Sequence, residues 1–315
     1  VIIVTGGAGF IGSNLVRGIN RLGISDVVVV DDLTDGRKFL NLVDCDVRDY
    51  WDKDRLLPEL RSGRREKPAA VFHQGACAVT TEWNGRYMME ANYQYSVDLL
   101  EYCLAEGVPL IYASSAAVYG ASTTFDDGDP RVERPLNVYG YSKLLFDRRV
   151  RSVLPAARSQ VVGLRYFNVY GPGEAHKGGM ASVAYHLHRQ LDQNDVVRLF
   201  EGSGGYAAGE QRRDFVYVGD VVDVNLWFLQ HAAVSGVFNV GTGASATFNE
   251  LANAVIKWHG RGTIHYVPFP EELKSSYQSY TQADIGALRR AGYQAPFMNV
   301  RAGTAAYLDA IRARP

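Results

Sequence analysis

Short apolar runs separated by amphipathic stretches of helix length make up the first half of this chain. Residues 1–5 form a β-branched run without polar alternation, followed by a glycine turn and an amphipathic segment, 11–22. The runs 27–30, 70–73, 110–113 and 161–164 repeat the apolar pattern, and segments 87–104 and 141–153 have helix length. Runs that are apolar on both faces mark strands covered on both sides, as in a parallel sheet flanked by helices. Right-handed crossovers leave few ways to connect such strands. The expected fold class is therefore α/β: a doubly wound parallel Rossmann sheet with a smaller, discontinuous α/β lobe.

The rhythm changes after about residue 168. Glycine-rich loops at 171–179 and 202–209 flank a helical pattern, 181–191, and a strand–helix unit at 213–230 reads as a return to the first domain. The division expected is 1–168, with a return segment 213–237, for the first domain. Residues 169–212 and 238–315 make the second lobe. Of 315 residues, 47% are hydrophobic and 21% charged, with 33 basic against 34 acidic side chains. That balance gives no field favouring nucleic acid or an anionic membrane surface. No apolar run approaches the roughly 18 residues that cross a bilayer, and no signal-peptide pattern opens the chain, so a cytoplasmic location is expected. Three cysteines, Cys45, Cys77 and Cys103, without a CxxC pair, argue against a disulfide framework or a zinc ribbon.

The first turn reads TGGAGFIG over residues 5–12. Gly6, Gly9 and Gly12 permit a tight turn, a close approach of backbone to a pyrophosphate, and helix packing on the strand, while the helix start offers free N–H groups. Asp31 closes the second strand, 19 residues past Gly12, where an acid meets an adenine ribose. That favours NAD, yet Arg37, Lys38 and Lys53 follow, and each suits the 2′-phosphate of NADP. Lys53 reads equally as a solvated helix charge. Tyr139 and Lys143 stand four apart, one helical turn on one face, and an ammonium there favours the phenolate and makes the phenol a base for an alcohol proton. Ser115 ends the strand 110–114, where such sheets place their chemistry. Cys77 has no His or Asp spacing that marks a nucleophile, and reads as a small packed thiol.

With the glycine loop, the Tyr-x-x-x-Lys pair and Ser115, the chain resembles the extended short-chain dehydrogenase/reductases that act on nucleotide sugars. The strings ASSAAVYG (113–120), RYFNVYGP (165–172) and RDFVYVGD (213–220) are similar to that family as well. Dehydratases of the family carry an acidic pair after the catalytic hydroxyl, and epimerase-reductases a cysteine. Ala116 and Ala117 occupy that stretch, which leaves a hydride-shuttling epimerase. GAC (75–77), TTEW (80–83), NYQYS (92–96), HKGGMAS (176–182) and FEGS (200–203) are similar to the ADP-heptose 6-epimerase branch.

That resemblance implies inversion at C6″ of an ADP-linked glycero-manno-heptose through a transient ketone, with retained NADP (NAD being the other candidate). It also implies a place in lipopolysaccharide inner-core precursor synthesis and a homo-oligomer, typically a pentamer, with no nucleic-acid or membrane partner. It implies Tyr139 and Lys177 as acid–base groups, assisted by Ser115 and Lys143; from the residues alone Lys177 is a solvated loop lysine. Cofactor contacts fall on Phe10, Ile11, Asp31, Asp32, Lys38, Lys53, Gln74, Gly75, Ala76, Cys77, Ala78, Asn92, Lys143 and Val169. Substrate contacts fall on Ser115, Asn168, Gly179, His186, Phe200, Glu201, Gly202, Ser203, Arg213 and Tyr277. Arg213 suits a bidentate grip on phosphates, or a structural salt bridge to Asp214 or Asp220, and His186 equally suits a core histidine. The competing readings are a UDP-hexose 4-epimerase and a non-catalytic dinucleotide-sensing module.

Overall fold

The computed structural model describes residues 1–270 and 278–313. The first half runs β1 (Ile2–Thr5), α1 (Phe10–Arg21), β2 (Val27–Asp31), β3 (Asp49–Asp52), α2 (Lys53–Arg61), β4 (Ala70–His73), α3 (Gly85–Met88), α4 (Tyr95–Glu106), β5 (Leu110–Ser115), α5 (Val138–Val153) and β6 (Val161–Tyr166). The second half runs β7 (Asn168–Tyr170), α6 (Val183–Gln193), β8 (Val196–Phe200), β9 (Arg212–Arg213), β10 (Phe215–Tyr217), α7 (Val218–Gln230), β11 (Gly236–Val240), β12 (Ala246–Thr247), α8 (Phe248–His259), β13 (Thr263–Val267), α9 (Gly286–Arg290) and α10 (Val300–Arg312).

Seven strands form one parallel sheet in the order β11-β6-β5-β4-β1-β2-β3. The order reverses between β1 and β4, which opens a crevice at the carboxyl ends of the strands. Both faces are covered, as the unbroken apolar runs require. One core unites Leu15, Val16 and Ile19 of α1 with Val221, Val222 and Phe228 of α7. The other unites Leu56 and Leu60 of α2 with Leu99, Leu100 and Cys103 of α4 and Phe146 and Val150 of α5. A third core sits apart from the sheet, where Leu187 and Leu191 of α6, Leu251 and Val255 of α8, and Leu308 of α10 pack together. Around it lie three short pairings: parallel β7–β10, antiparallel β9–β12 and parallel β8–β13.

The chain crosses between these bodies more often than the sequence division places it. β11 runs through residue 237, where the sequence reading changes lobe; Phe238 and Val240 are buried in the sheet core. Leu288 of α9 and Tyr293 return to that same core. No helix among the described residues is long and apolar enough to cross a membrane. None of the three cysteines is in a disulfide.

Candidate active site

The glycine loop holds its shape through contacts that leave no room for side chains. Gly6 has φ +64°, and a Cβ there would lie 2.6 Å from the backbone nitrogen of Gly75, in the loop after β4. A Cβ on Gly12 would overlap the Gly6 carbonyl. The loop and the Gly75 segment thus form two walls of a backbone-lined cradle at the N-terminus of α1, which suits a diphosphate. Thr5 ties the walls together, because its hydroxyl accepts from Gly75 N–H (3.1 Å) and lies 2.7 Å from His73 Nδ1. Burial pushes His73 down to about 3, so it is neutral, and its other nitrogen meets Ser96 Oγ at 2.8 Å.

At the end of β2, buried Asp31 accepts Ala8 N–H (2.8 Å) and pairs with Lys38 Nζ at 2.6 Å. Asp32 follows and sits in the field of both Lys38 and Lys53, and with Thr34 as hydrogen-bond donor its carboxyl is held below its ordinary value. Lys53 is half exposed and pairs with Asp54 at 2.8 Å. Arg37 folds back onto Asp35, also at 2.8 Å, at the surface. After β4, Gln74 joins Tyr166 Oη (3.1 Å) and Asn225 (3.3 Å) in an amide–phenol network. Cys77 exchanges two backbone hydrogen bonds with the buried Asn92 amide (2.8 and 3.0 Å), which also donates to Ser142 Oγ at 3.2 Å.

Ser115, Tyr139 and Lys143 come together at the ends of β5 and α5. Ser115 caps a short turn by accepting Ala117 N–H at 3.1 Å, and Asn137 caps α5 by accepting Gly140 N–H at 2.8 Å. A Cβ on Gly140 would lie 2.6 Å from the Ala117 carbonyl, so the start of α5 packs directly on the Ser115 turn. Tyr139 thereby hydrogen-bonds Ser115. Lys143 is buried and donates to the Ala113 carbonyl at 2.9 Å. The expected lowering of the phenol pKa by this ammonium is not what the structure shows. Burial raises Tyr139 above its ordinary value, and the Ser115 hydrogen bond opposes that rise. Burial also pushes Lys143 down to about 8, against the raising influence of Asp147 and Cys77.

Asp147 was not legible as a site residue. It stands one further turn along α5, fully buried, and accepts Tyr112 Oη (2.9 Å), Ser114 Oγ (2.9 Å) and Arg165 Nε (2.8 Å). Arg165, itself fully buried, also donates to Tyr119 Oη (3.0 Å) and to Glu133. This cluster bolts α5 to β5 and β6 behind the Tyr139–Lys143 face.

A cleft of about 610 Å³ lies beside Val169, between β7, α6, β8 and α8. Asn168, Lys177, Gly179, His186, Phe200 and Arg213 all line it. Asn168 is steadied by the Asp214 carbonyl and Thr281 Oγ1, at 3.2 and 3.0 Å. Arg213 is buried over the Phe248 ring at 5.7 Å, and Lys177 lies 5.3 Å over the Phe10 ring. Lys177 thus joins the cleft to the start of α1, and burial lowers its pKa. The carboxylate of Asp214 is engaged by Thr242, Gly243 and Ala283, and that of Asp220 by Met298. Glu201, Gly202 and Ser203 follow Phe200 outside the cleft wall, whereas Gln190, Arg198 and Gln211 are inside it without any sequence signal. Ser115 and Tyr139 are likewise not part of that wall. Tyr277 lies outside the described residues.

A glycine cradle at a sheet switch point, beside a serine–tyrosine–lysine group, defines a dinucleotide-dependent enzyme of the short-chain dehydrogenase type. The chain belongs to the NAD dependent epimerase/dehydratase family, whose model matches residues 2–241. It is 58% identical over 316 residues to an ADP-L-glycero-D-manno-heptose-6-epimerase of Alkalilimnicola ehrlichii, covering 100% of this chain and 98% of that one. The crystal structure of the Helicobacter pylori ADP-L-glycero-D-manno-heptose-6-epimerase superposes with TM-score 0.84 at 34% identity, over 99% of this chain and 96% of the other. A UDP-glucose 4-epimerase of Thermus thermophilus in complex with NAD superposes with TM-score 0.78 at 28% identity, over 100% and 99%.

Proposed function

We propose that this protein is an ADP-glycero-manno-heptose 6-epimerase, which inverts C6″ of the heptose with NADP retained between turnovers. The observation that carries this reading is the 58% identity to the A. ehrlichii epimerase from end to end. It is supported by an intact Ser115–Tyr139–Lys143 group, for which a passive dinucleotide sensor has no use. Gly6, Gly12 and Gly75 pack backbone against backbone where any Cβ would clash, and that packing sets the loop's N–H groups at the start of α1, where the diphosphate of a dinucleotide would be held. Asp31, Lys38 and Lys53 would hold the adenine ribose, and the two lysines beside Asp32 favour a 2′-phosphate. When bound, the nicotinamide accepts a hydride from a carbinol carbon and returns it, chemistry that no side chain supplies.

The chain's own residues manage protons and position. Tyr139, neutral at rest, acts once its own proton has passed to solvent: the phenolate takes the substrate's hydroxyl proton as the carbonyl develops, and the phenol so formed gives it back when the carbonyl is reduced, with Ser115 beside it. Lys143 stabilises the transient phenolate and holds ribose hydroxyls. Lys177, its ammonium made more acidic by burial, serves the sugar in its other orientation. Arg213 grips the diphosphate in the cleft. A homopentameric assembly and a role in lipopolysaccharide inner-core synthesis belong to the same reading.

Incubation of the purified protein with ADP-D-glycero-D-manno-heptose in deuterated water tests it. The expected product is the L-glycero epimer without solvent deuterium at C6″, from a protein whose mass under native conditions includes NADP. Turnover of UDP-hexoses alone would overturn the substrate, and deuterium at C6″ would overturn the hydride route.

A further inference from the structure

Outside the active site, three side chains of metal-ligand type converge among the described residues: His188, Asp192 and His259. His188 and Asp192 are four apart on α6, so one helix face presents both. His259 is the last residue of α8, the helix packed against α6. His188 Nδ1 lies 3.0 Å from His259 Nε2, and the Asp192 carboxylate is 3.6 Å from His188 Nε2. One ligand atom from each residue fits within a 4.8 Å spread.

Two imidazole nitrogens on a tetrahedral ion with bonds of about 2.0–2.1 Å stand roughly 3.3 Å apart. His259 and Asp192 approach opposite nitrogens of the His188 ring, and only one of these can ligate, so binding needs a small opening of the His188–His259 pair at Nδ1 and a turn of the exposed Asp192 carboxylate toward it. Both helices are held rigidly by Leu187, Leu191, Leu251 and Val255, so the ligands sit on fixed backbone rather than on loops. Two cations lie nearby. Arg261 is committed to Asp195 and to the Leu191 carbonyl. Arg189 pairs with Asp192 at 3.3 Å, but both side chains are more than a third exposed, and such a pair is worth little. A doubly charged ion with two imidazoles outcompetes it.

We propose that His188, Asp192 and His259 form a binding site for a divalent transition ion of the zinc class. Two nitrogen donors and one oxygen exclude the hard ions magnesium and calcium, which take oxygen ligands, and favour zinc, nickel or copper. The site is a clasp, not a catalytic centre. It ties the carboxyl half of α6 to the end of α8, while another part of α6 (Val183, His186, Leu187 and Gln190) forms a wall of the cleft. Occupancy therefore stiffens that wall without touching the reacting atoms.

Calorimetric titration of zinc into the chelator-treated, cofactor-loaded full chain tests the proposal, with magnesium as the control ion. The expected result is one zinc per chain and no magnesium binding, with a thermal midpoint raised by about 3–5 °C at saturation. His259→Gln weakens zinc at least about tenfold and abolishes the thermal shift, and Asp192→Asn weakens it by a smaller factor. His188→Asn behaves as His259→Gln if it folds; half-buried His259 and exposed Asp192 keep the test valid if it does not. His231→Gln, at a distant histidine stacked on Trp227, leaves binding unchanged. Equal zinc affinity in the wild type and a folded His259→Gln protein, or the absence of stoichiometric binding, would overturn the site.

Discussion

Replacing Asp147 by asparagine removes one charge from behind the proton-transfer face and changes almost no volume. In the native protein that carboxylate is fully buried and takes hydrogen bonds from Tyr112, Ser114 and Arg165 at 2.8–2.9 Å. Asparagine retains one carbonyl oxygen and turns an NH2 group toward groups that are themselves donors. Breaking a buried pair by removing one partner costs about 3–5 kcal/mol, because the other charge stays buried. Arg165 keeps Glu133 as a partner, so the lower figure applies. About 3 kcal/mol corresponds to a thermal midpoint lowered by about 4–5 °C in a chain of 315 residues.

The second consequence is electrostatic. Burial pushes Lys143 down to about 8, and the Asp147 carboxylate works against that fall. In the proposed mechanism turnover needs a protonated Lys143, so activity is expected to fall as pH rises through about 8, and without Asp147 the alkaline limb moves to lower pH. The sign for stability is the reverse. The folded chain holds this proton less tightly than the unfolded chain, so the cost of burying the ammonium is relieved as pH rises from about 8 toward 10.5. The assay is kcat against pH at saturating cofactor, beside scanning calorimetry. A midpoint within 2 °C (about 1 kcal/mol) of wild type, or an unmoved alkaline limb in a folded variant, refutes the assignment.

Two further outcomes follow from the site. Tyr139→Phe retains its dinucleotide but loses about 10²–10⁴-fold in kcat; wild-type turnover would remove the phenol from the reaction. Gly12→Ala places a methyl group against the Gly6 carbonyl and forces the loop open, so the purified protein carries little dinucleotide, read from its absorbance and native mass. Full occupancy in that variant would contradict the close packing described here.

What the sequence revealed was local. The glycine loop and its acid, the five apolar strands and the Tyr139–Lys143 turn each announce themselves within a few residues, by periodicity or by a backbone need. The edge strand β11 is hard to read from sequence because Gly236 opens it and only its last three positions are buried, too short a run to stand out. Asp147, Glu133 and Arg165 were invisible because each reads as an ordinary charge until the fold buries it against partners 18 to 32 residues away. The direction of the Tyr139 shift also lies beyond a motif, since the four-residue spacing predicts a neighbouring charge but not the burial that raises the phenol. Arg37 shows the converse, a phosphate candidate by position whose own neighbour, Asp35, already holds it.

Between α3 and α4 the backbone widens into a π-helical turn, Met89–Gln94, which carries Asn92. A widened turn accommodates one more residue than an ordinary one, so the helix after it is out of step with the helix before it. That slip lets two demands be met on one rod. Asn92 can aim its amide at the Cys77 backbone, while Leu99, Leu100 and Cys103 still face inward. A chain lacking that extra residue would have to choose between a well-seated rod and a correctly aimed amide.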